Sequence, residues 1–226
     1  MPSVSPTAGN RCAARFVWRA LLLLGALQGT PSQAEEQPAA GAATLGRWQQ
    51  LIDQHKGLDE RDKLERVNAF INDAVIYASD QATWGEHDYW ATPVQTLGRG
   101  QGDCEDFALA KYFSLMRMGV PSERLRLTFV KALRPSQRGQ AHMVLAYYAT
   151  PSAEPLILDN RQPAILPASQ RADLLPVYAF NDLGVFLAKA PQRISQPPQR
   201  LARWQDVSAR ALAEGSHPPA ATLNGG

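Results

Sequence analysis

The chain has 226 residues, 45% hydrophobic and 19% charged, enough apolar content for one buried core and too much for a disordered chain. Its 23 Lys+Arg stand against 21 Asp+Glu, a formal charge of +2 with no basic stripe of the kind that grips nucleic acid. Chemistry must therefore be sought in particular residues rather than in bulk charge.

Arg11, Arg15 and Arg19 precede an apolar run from Ala20 to Leu27, and Ser32-Gln33-Ala34 follows. Basic, apolar, then small residues is the order of an export signal, with a predicted cut after Ala34. The run is short for a bilayer span, and a retained anchor is the alternative. The cut removes three arginines and no acids, leaving 20 Lys+Arg against 21 Asp+Glu, a formal charge of −1. It also removes Cys12 and leaves Cys104 as the one cysteine of a chain expected in an export compartment. A lone thiol there is a nucleophile, an inert core residue, or half of an intermolecular disulfide.

Residues 35–44 are rich in Ala, Glu and Gln and predict a flexible mature N-terminus. Leu45, Trp48, Leu51 and Ile52 then recur at helical spacing up to His55. Asp59 is placed to cap a second helix, whose stripe is Leu64, Val67, Phe70, Ile71, Ala74 and Val75. From Ser79 to Thr96 no period is visible, but Trp84, His87, Asp88, Tyr89 and Trp90 crowd together. Such a loop is either a lid on the core or a wall of a substrate cleft, with Trp84, Tyr89 and Trp90 as candidates.

Gly100-Gln101-Gly102-Asp103-Cys104 reads as a glycine-flanked turn entering a helix that is apolar nearly all round, Cys104 to Met118. A thiol at a helix N-terminus meets unpaired N–H groups and the positive end of the macrodipole, which favour thiolate and an oxyanion alike. Predicted strands follow at Leu125–Ala132, Ala141–Ala149, Pro155–Asp159, Pro176–Phe180 and Val185–Ala188, the last two joined by a hairpin at Asn181–Gly184. A last helix is expected over Pro198–Glu214, bearing Leu201, Trp204, Val207 and Leu212, before a disordered tail over 215–226. Helices first and an antiparallel sheet after predict an α+β domain over 45–214.

A nucleophilic thiol needs a base, and the base an orienting partner. His142 opens one predicted strand and Asp159 closes the next, so antiparallel pairing sets them side by side. Cys104 (nucleophile), His142 (base, then acid) and Asp159 (orienter) form the candidate triad. Asp103, Glu105 and Asp106 crowd the thiol with negative charge, which opposes thiolate unless a hard cation binds there. The plain alternative is acids complementing a helix dipole.

Trp84-Gly-Glu-His-Asp-Tyr-Trp-Ala-Thr-Pro93, Gly102-Asp-Cys-Glu-Asp-Phe-Ala108, Ala141-His-Met-Val-Leu145 and Leu158-Asp-Asn160 together resemble the bacterial transglutaminase-like cysteine proteinases over roughly residues 45–205. The resemblance implies a papain/transglutaminase-like fold and a calcium-dependent endopeptidase, with Cys104, His142 and Asp159 as triad and Asp103 and Glu105 as calcium ligands. Asp88 and Asp106 are further possible ligands. It implies as substrate a large repeat adhesin (LapA-like), cut at a di-alanine site near its N-terminus and so released to promote biofilm dispersal. It implies as partner an inhibitory inner-membrane receptor for cyclic di-GMP (LapD-like). Acyl transfer to an amine by the same triad, or a non-catalytic binding module docking through the aromatic loop, are the other readings.

Overall fold

The structure, a computed structural model, describes residues 33–133, 139–187, 190–194 and 201–216. Residues 1–32 of the expected export signal and the tail from residue 217 lie outside it. Among the described residues no helix is long and apolar enough to cross a membrane.

The first helix, α1, runs over Gln33–His55 and takes in the stretch expected to be flexible. Ala39, Ala40, Ala42 and Ala43 are strong helix formers. Gly41 explains why the extension docks: a Cβ there would fall 2.1 Å from the backbone oxygen of Gly98. The missing side chain lets two backbones touch. Helix α2, Glu60–Ala74, starts where predicted, with the Asp59 carboxylate accepting the Asp62 N–H, and buries Leu64, Val67 and Ile71.

The aromatic segment is more ordered than its sequence suggested. A two-residue strand β1 (Ile76–Tyr77) precedes a single-turn helix α3 (Asp80–Thr83). A second short helix α4 follows over Pro93–Arg99. Thr92 and Gln95 form its capping box, Pro93 sits at the first turn, and Gly100 ends it at φ 69°. Strand β2 (Gln101–Gly102) pairs parallel with β1 and leads straight into helix α5, Cys104–Arg117. Gly119, at φ 86°, supplies the left-handed stop, with Val120 N–H returning to the Leu115 carbonyl.

Seven antiparallel strands follow: β3 Leu125–Ala132, β4 Ala141–Tyr147, β5 Leu156–Leu158, β6 Leu166–Pro167, β7 Leu174–Asn181, β8 Gly184–Leu187 and β9 Ala190–Ile194. Their order in the sheet is β6-β5-β4-β3-β7-β8-β9. β6 and β9 went unpredicted, one being two residues long and the other opening on Ala-Pro. The hairpin at Asn181–Gly184 is present, its two central residues turning between paired Asn181 and Gly184.

One face of the sheet presents Leu125, Leu127, Phe129, Met143, Leu145 and Phe180 to α5, which contributes Phe107, Leu109, Tyr112, Phe113 and Leu115. Helix α6, Leu201–Ala213, covers that aromatic layer with Trp204, stacked 5.7 Å from Phe113 and edge-on to Tyr112 at 5.3 Å. Leu212, predicted to be apolar packing, is instead half exposed, and Ala211 faces the core one position earlier. The architecture is α+β, helices on one face of an antiparallel sheet.

Candidate active site and acidic cluster

Asp103 is the N-cap of α5 and Asp106 completes its capping box, so Cys104 is the first helical residue. The cap requires Gly102, because a Cβ there would lie 2.7 Å from Asp106 Oδ2. The Cys104 N–H, at the first helical position, has no intrahelical acceptor. The sulfur is buried, accepts the backbone N–H of Met143, and donates to Glu105 Oε2 at 2.8 Å. Burial, then Glu105, then Asp103 push the thiol pKa far up, against the smaller effect of the Met143 amide.

Met143 is the residue after His142, so α5 delivers the sulfur to the start of β4. His142 is buried, and its Nε2 bonds Asp159 Oδ1 at 2.8 Å. Its Nδ1 is buried without a hydrogen-bond partner. In the neutral tautomer that donates Nε2–H to Asp159, Nδ1 is an acceptor. The register β4–β5 is antiparallel, Leu145 opposite Leu158, which sets Asp159 just past the paired part of β5 and across from the strand's start.

Asp159 is more heavily supported than its sequence suggested. Burial would raise its pKa, but bonds from His142, the Arg161 N–H and Arg171 hold it well below the ordinary carboxylate range. Arg171 Nη2 donates to Asp159 Oδ2 at 2.7 Å, and Asn72 donates to its backbone oxygen. Lys111 lies under the site on α5, fully buried; burial takes its pKa down to about 7, and the Asp159 charge opposes the fall. None of Asn72, Lys111 or Arg171 stood out in the sequence, where each is one polar residue beside an apolar stripe.

The acids form two overlapping groups. Oxygens of Asp103 and Glu105 with the Cys104 sulfur lie within 4.8 Å of one another, and so do oxygens of Asp80, Asp103 and Asp106. Asp80 was not anticipated; an acid after a capping serine reads only as a dipole partner. It is buried, accepts the Tyr89 N–H at Oδ2, and leaves Oδ1 without a partner. Asp106 accepts the Ala91 and Asp103 amides. Burial and mutual repulsion raise the pKa of Asp80, Asp103 and Asp106 alike, Asp106 to about 7. Such a cluster is short of positive charge, and carboxylate oxygens are the donors a hard cation takes.

Two expectations fail here. Asp88, at φ 59°, pairs with Arg203 of α6 and accepts from Trp90 Nε1, so it is tied to the last helix and not to the acids. Trp90 is 2% exposed and stacks on Phe180 at 5.8 Å; it is core, not a cleft wall. Trp84 and Tyr89 are half-buried, 5.0 Å apart, and each is covered by an arginine, Arg99 and Arg210. The apolar surface beside the thiol comes instead from β1. Tyr77 is 53% and Ile76 69% exposed, and the Tyr77 hydroxyl is near enough to be pushed up by burial and then by the Cys104 and Asp103 charges. Two exposed apolar residues in a two-residue strand carry no sequence pattern.

A thiol at the head of a buried helix, delivered to a strand whose histidine is held by an aspartate, is the layout of the papain and transglutaminase class of thiol hydrolases. Comparison with known proteins is specific. The family model described as bacterial transglutaminase-like cysteine proteinase BTLCP matches residues 46–173. The chain belongs to that family. Among solved structures it is similar to Legionella pneumophila LapG, at 40% identity and TM-score 0.64 over 78% of this chain and 96% of that one. A structure of the same Legionella protein described as calcium-bound matches at 42% identity and TM-score 0.65, over 78% and 97%. One described as EGTA-treated matches at 40% and 0.66, over 78% and 96%. No curated protein matches.

Proposed function

We propose that the chain is a calcium-dependent periplasmic cysteine endopeptidase in which Cys104 is the nucleophile, His142 the base and Asp159 its orienter. The observation that carries this reading is the state of the imidazole: Nε2 is engaged by Asp159 and Nδ1 is buried and unpartnered, one residue from the amide that contacts the sulfur. With Nε2–H donated to Asp159, Nδ1 takes the thiol proton. The sulfur then bonds to the peptide carbonyl carbon, and its oxygen, now anionic, meets the Cys104 N–H at the head of α5. The C–N bond breaks as imidazolium returns the proton to the leaving amine. Water, deprotonated by the same nitrogen, hydrolyses the thioester and the thiol is regenerated.

The carboxylates beside the thiol fit calcium. Asp103 and Glu105 would hold it, with Asp80 and Asp106 within reach of the same oxygens, and the unpartnered Asp80 Oδ1 is a donor without a use otherwise. A bound divalent cation supplies positive charge where the acids now oppose thiolate. The thiol donates to Glu105 Oε2, so a ligand that engages Glu105 frees the sulfur for His142. The Legionella structures described as calcium-bound and EGTA-treated support the choice of metal.

The substrate is a large surface adhesin cut near its N-terminus at a di-alanine site, which releases it and favours dispersal. The brake is the periplasmic part of a cyclic di-GMP receptor of LapD type. Family membership supports both. The test is cleavage of an adhesin N-terminal fragment by wild type and Cys104→Ala. Loss of cleavage in a variant with an unchanged melting temperature is expected, and retained cleavage overturns the assignment. Added primary amine separates proteolysis from acyl transfer: scission of the backbone is expected, and amine incorporated into a glutamine without scission favours transferase chemistry.

A further inference from the structure

The face of the sheet turned away from α5 carries its own apolar cluster, Val130, Val144, Ala146 and Ile157. A cavity of about 590 Å³ opens over it, within the size range of small-molecule pockets. Among the described residues its wall includes two arginines and no acid. Arg126 lies between the rings of Tyr148 and Phe186, with its guanidinium carbon 4.2 and 4.1 Å from their centroids. Stacking on two sides fixes the plane of the group. Its Nε is buried without a partner, and among the described residues no carboxylate pairs with it.

Arg171, 4% exposed, reaches the same cavity from the other side. Its Nε and Nη2 are occupied by Asp173 and Asp159, while Nη1 is buried with no partner. An arginine held between two rings at the wall of an apolar cavity, with no carboxylate partner among the described residues, is a recognition pattern for an anion.

We propose that this cavity is a binding site for a small organic anion with an apolar body, an aliphatic or aromatic carboxylate, whose head group pairs with the Arg126 guanidinium. The apolar body covers Val144, Ala146 and Ile157. The cavity, lined also by Arg171, lies on the opposite face of the sheet from the thiol's helix.

The test is calorimetric titration of the full chain with decanoate, with decanol and decyltrimethylammonium as neutral and cationic controls. Saturable binding of one decanoate per chain is expected, at least tenfold tighter than either control. Arg126→Gln should weaken it at least tenfold. Ala153→Trp, which fills the mouth from the loop before β5, should abolish it. Both positions lie outside the closely packed core, so both variants should melt with wild type. Absence of saturation overturns the site. Decanol binding as tightly as decanoate, or decanoate binding unchanged in Arg126→Gln, overturns the anionic ligand. Binding unchanged in Ala153→Trp overturns the location.

Discussion

Arg171→Met is the perturbation that best tests how Asp159, the proposed orienter of His142, is supported. Arg171 donates to Asp159 at 2.7 Å and to Asp173 at 2.9 Å, and all but Asp173 are sealed from water. Removing one partner of a buried ion pair leaves the other uncompensated, which costs about 3–5 kcal/mol. His142 and the Arg161 N–H still hold Asp159 Oδ1, so the lower end applies. At about 2–4 °C per kcal/mol for a domain of this size, the melting temperature should fall by roughly 6–12 °C at pH 7. The pH dependence gives a second signature. Asp159 has its folded pKa held below its unfolded value, so its contribution is present above about pH 4 and is lost as pH falls through the folded pKa. In the variant the folded pKa rises toward normal. The gap between wild type and variant should therefore narrow as pH drops from about 4 toward 2. Thermal melts in parallel at pH 7 and pH 3 measure both. A shift below about 2 °C at pH 7, or a gap that widens in acid, would refute the reasoning.

The other outcomes can be stated together. Gly102→Ala should destabilise by about 1–3 kcal/mol, because its Cβ meets Asp106 at 2.7 Å; a circular-dichroism melt indistinguishable from wild type would show that the cap shifts freely. Trp204→Ala should cost about 3–5 kcal/mol by urea unfolding, since it empties a site lined by Tyr112, Phe113 and Phe180. Calcium at a hundredfold excess over its dissociation constant should add about 2.7 kcal/mol, and Asp103→Ala should remove that gain; an Asp103→Ala protein still stabilised by calcium places the ion elsewhere. Lys111 has its folded pKa lowered to about 7, so the unfolded chain binds more protons between there and the lysine norm, and stability should rise with pH over that window by up to about 1.4 kcal/mol per unit. Lys111→Met should flatten that rise, and an unaltered slope would assign it to another group.

Local chemistry made most of the fold legible. Asp59 as a cap, the glycine-flanked turn that sets Cys104 at the head of a helix, and the strands Leu125–Ala132 and Ala141–Tyr147 rest on near neighbours, and each holds in the structure. The aromatic segment was misread because its rings drew attention from Thr92-Pro-Val-Gln95, a capping box with proline in the first turn. Trp90 looked like a surface feature because the layer that buries it, Phe129 and Phe180, comes from strands far along the chain. The pairing of His142 with Asp159 could be inferred from strand order. Convergence of Asp80 on Asp103 could not, since it depends on the parallel contact of β1 with β2. Arg171 was invisible for the same reason: its value lies in a partner fixed only by tertiary packing.

Helix α6 clasps the aromatic segment by Arg210, which donates to the Trp90 carbonyl and to Gln95, and by the Arg203–Asp88 pair. The next amide along, Ala91, is the one that seats Asp106. Helix α6 thus fastens the segment that arranges the acids near the thiol. A chain shortened before α6 keeps Cys104 but loses the brace behind Ala91, so the acidic cluster would lose its order with every carboxylate still present.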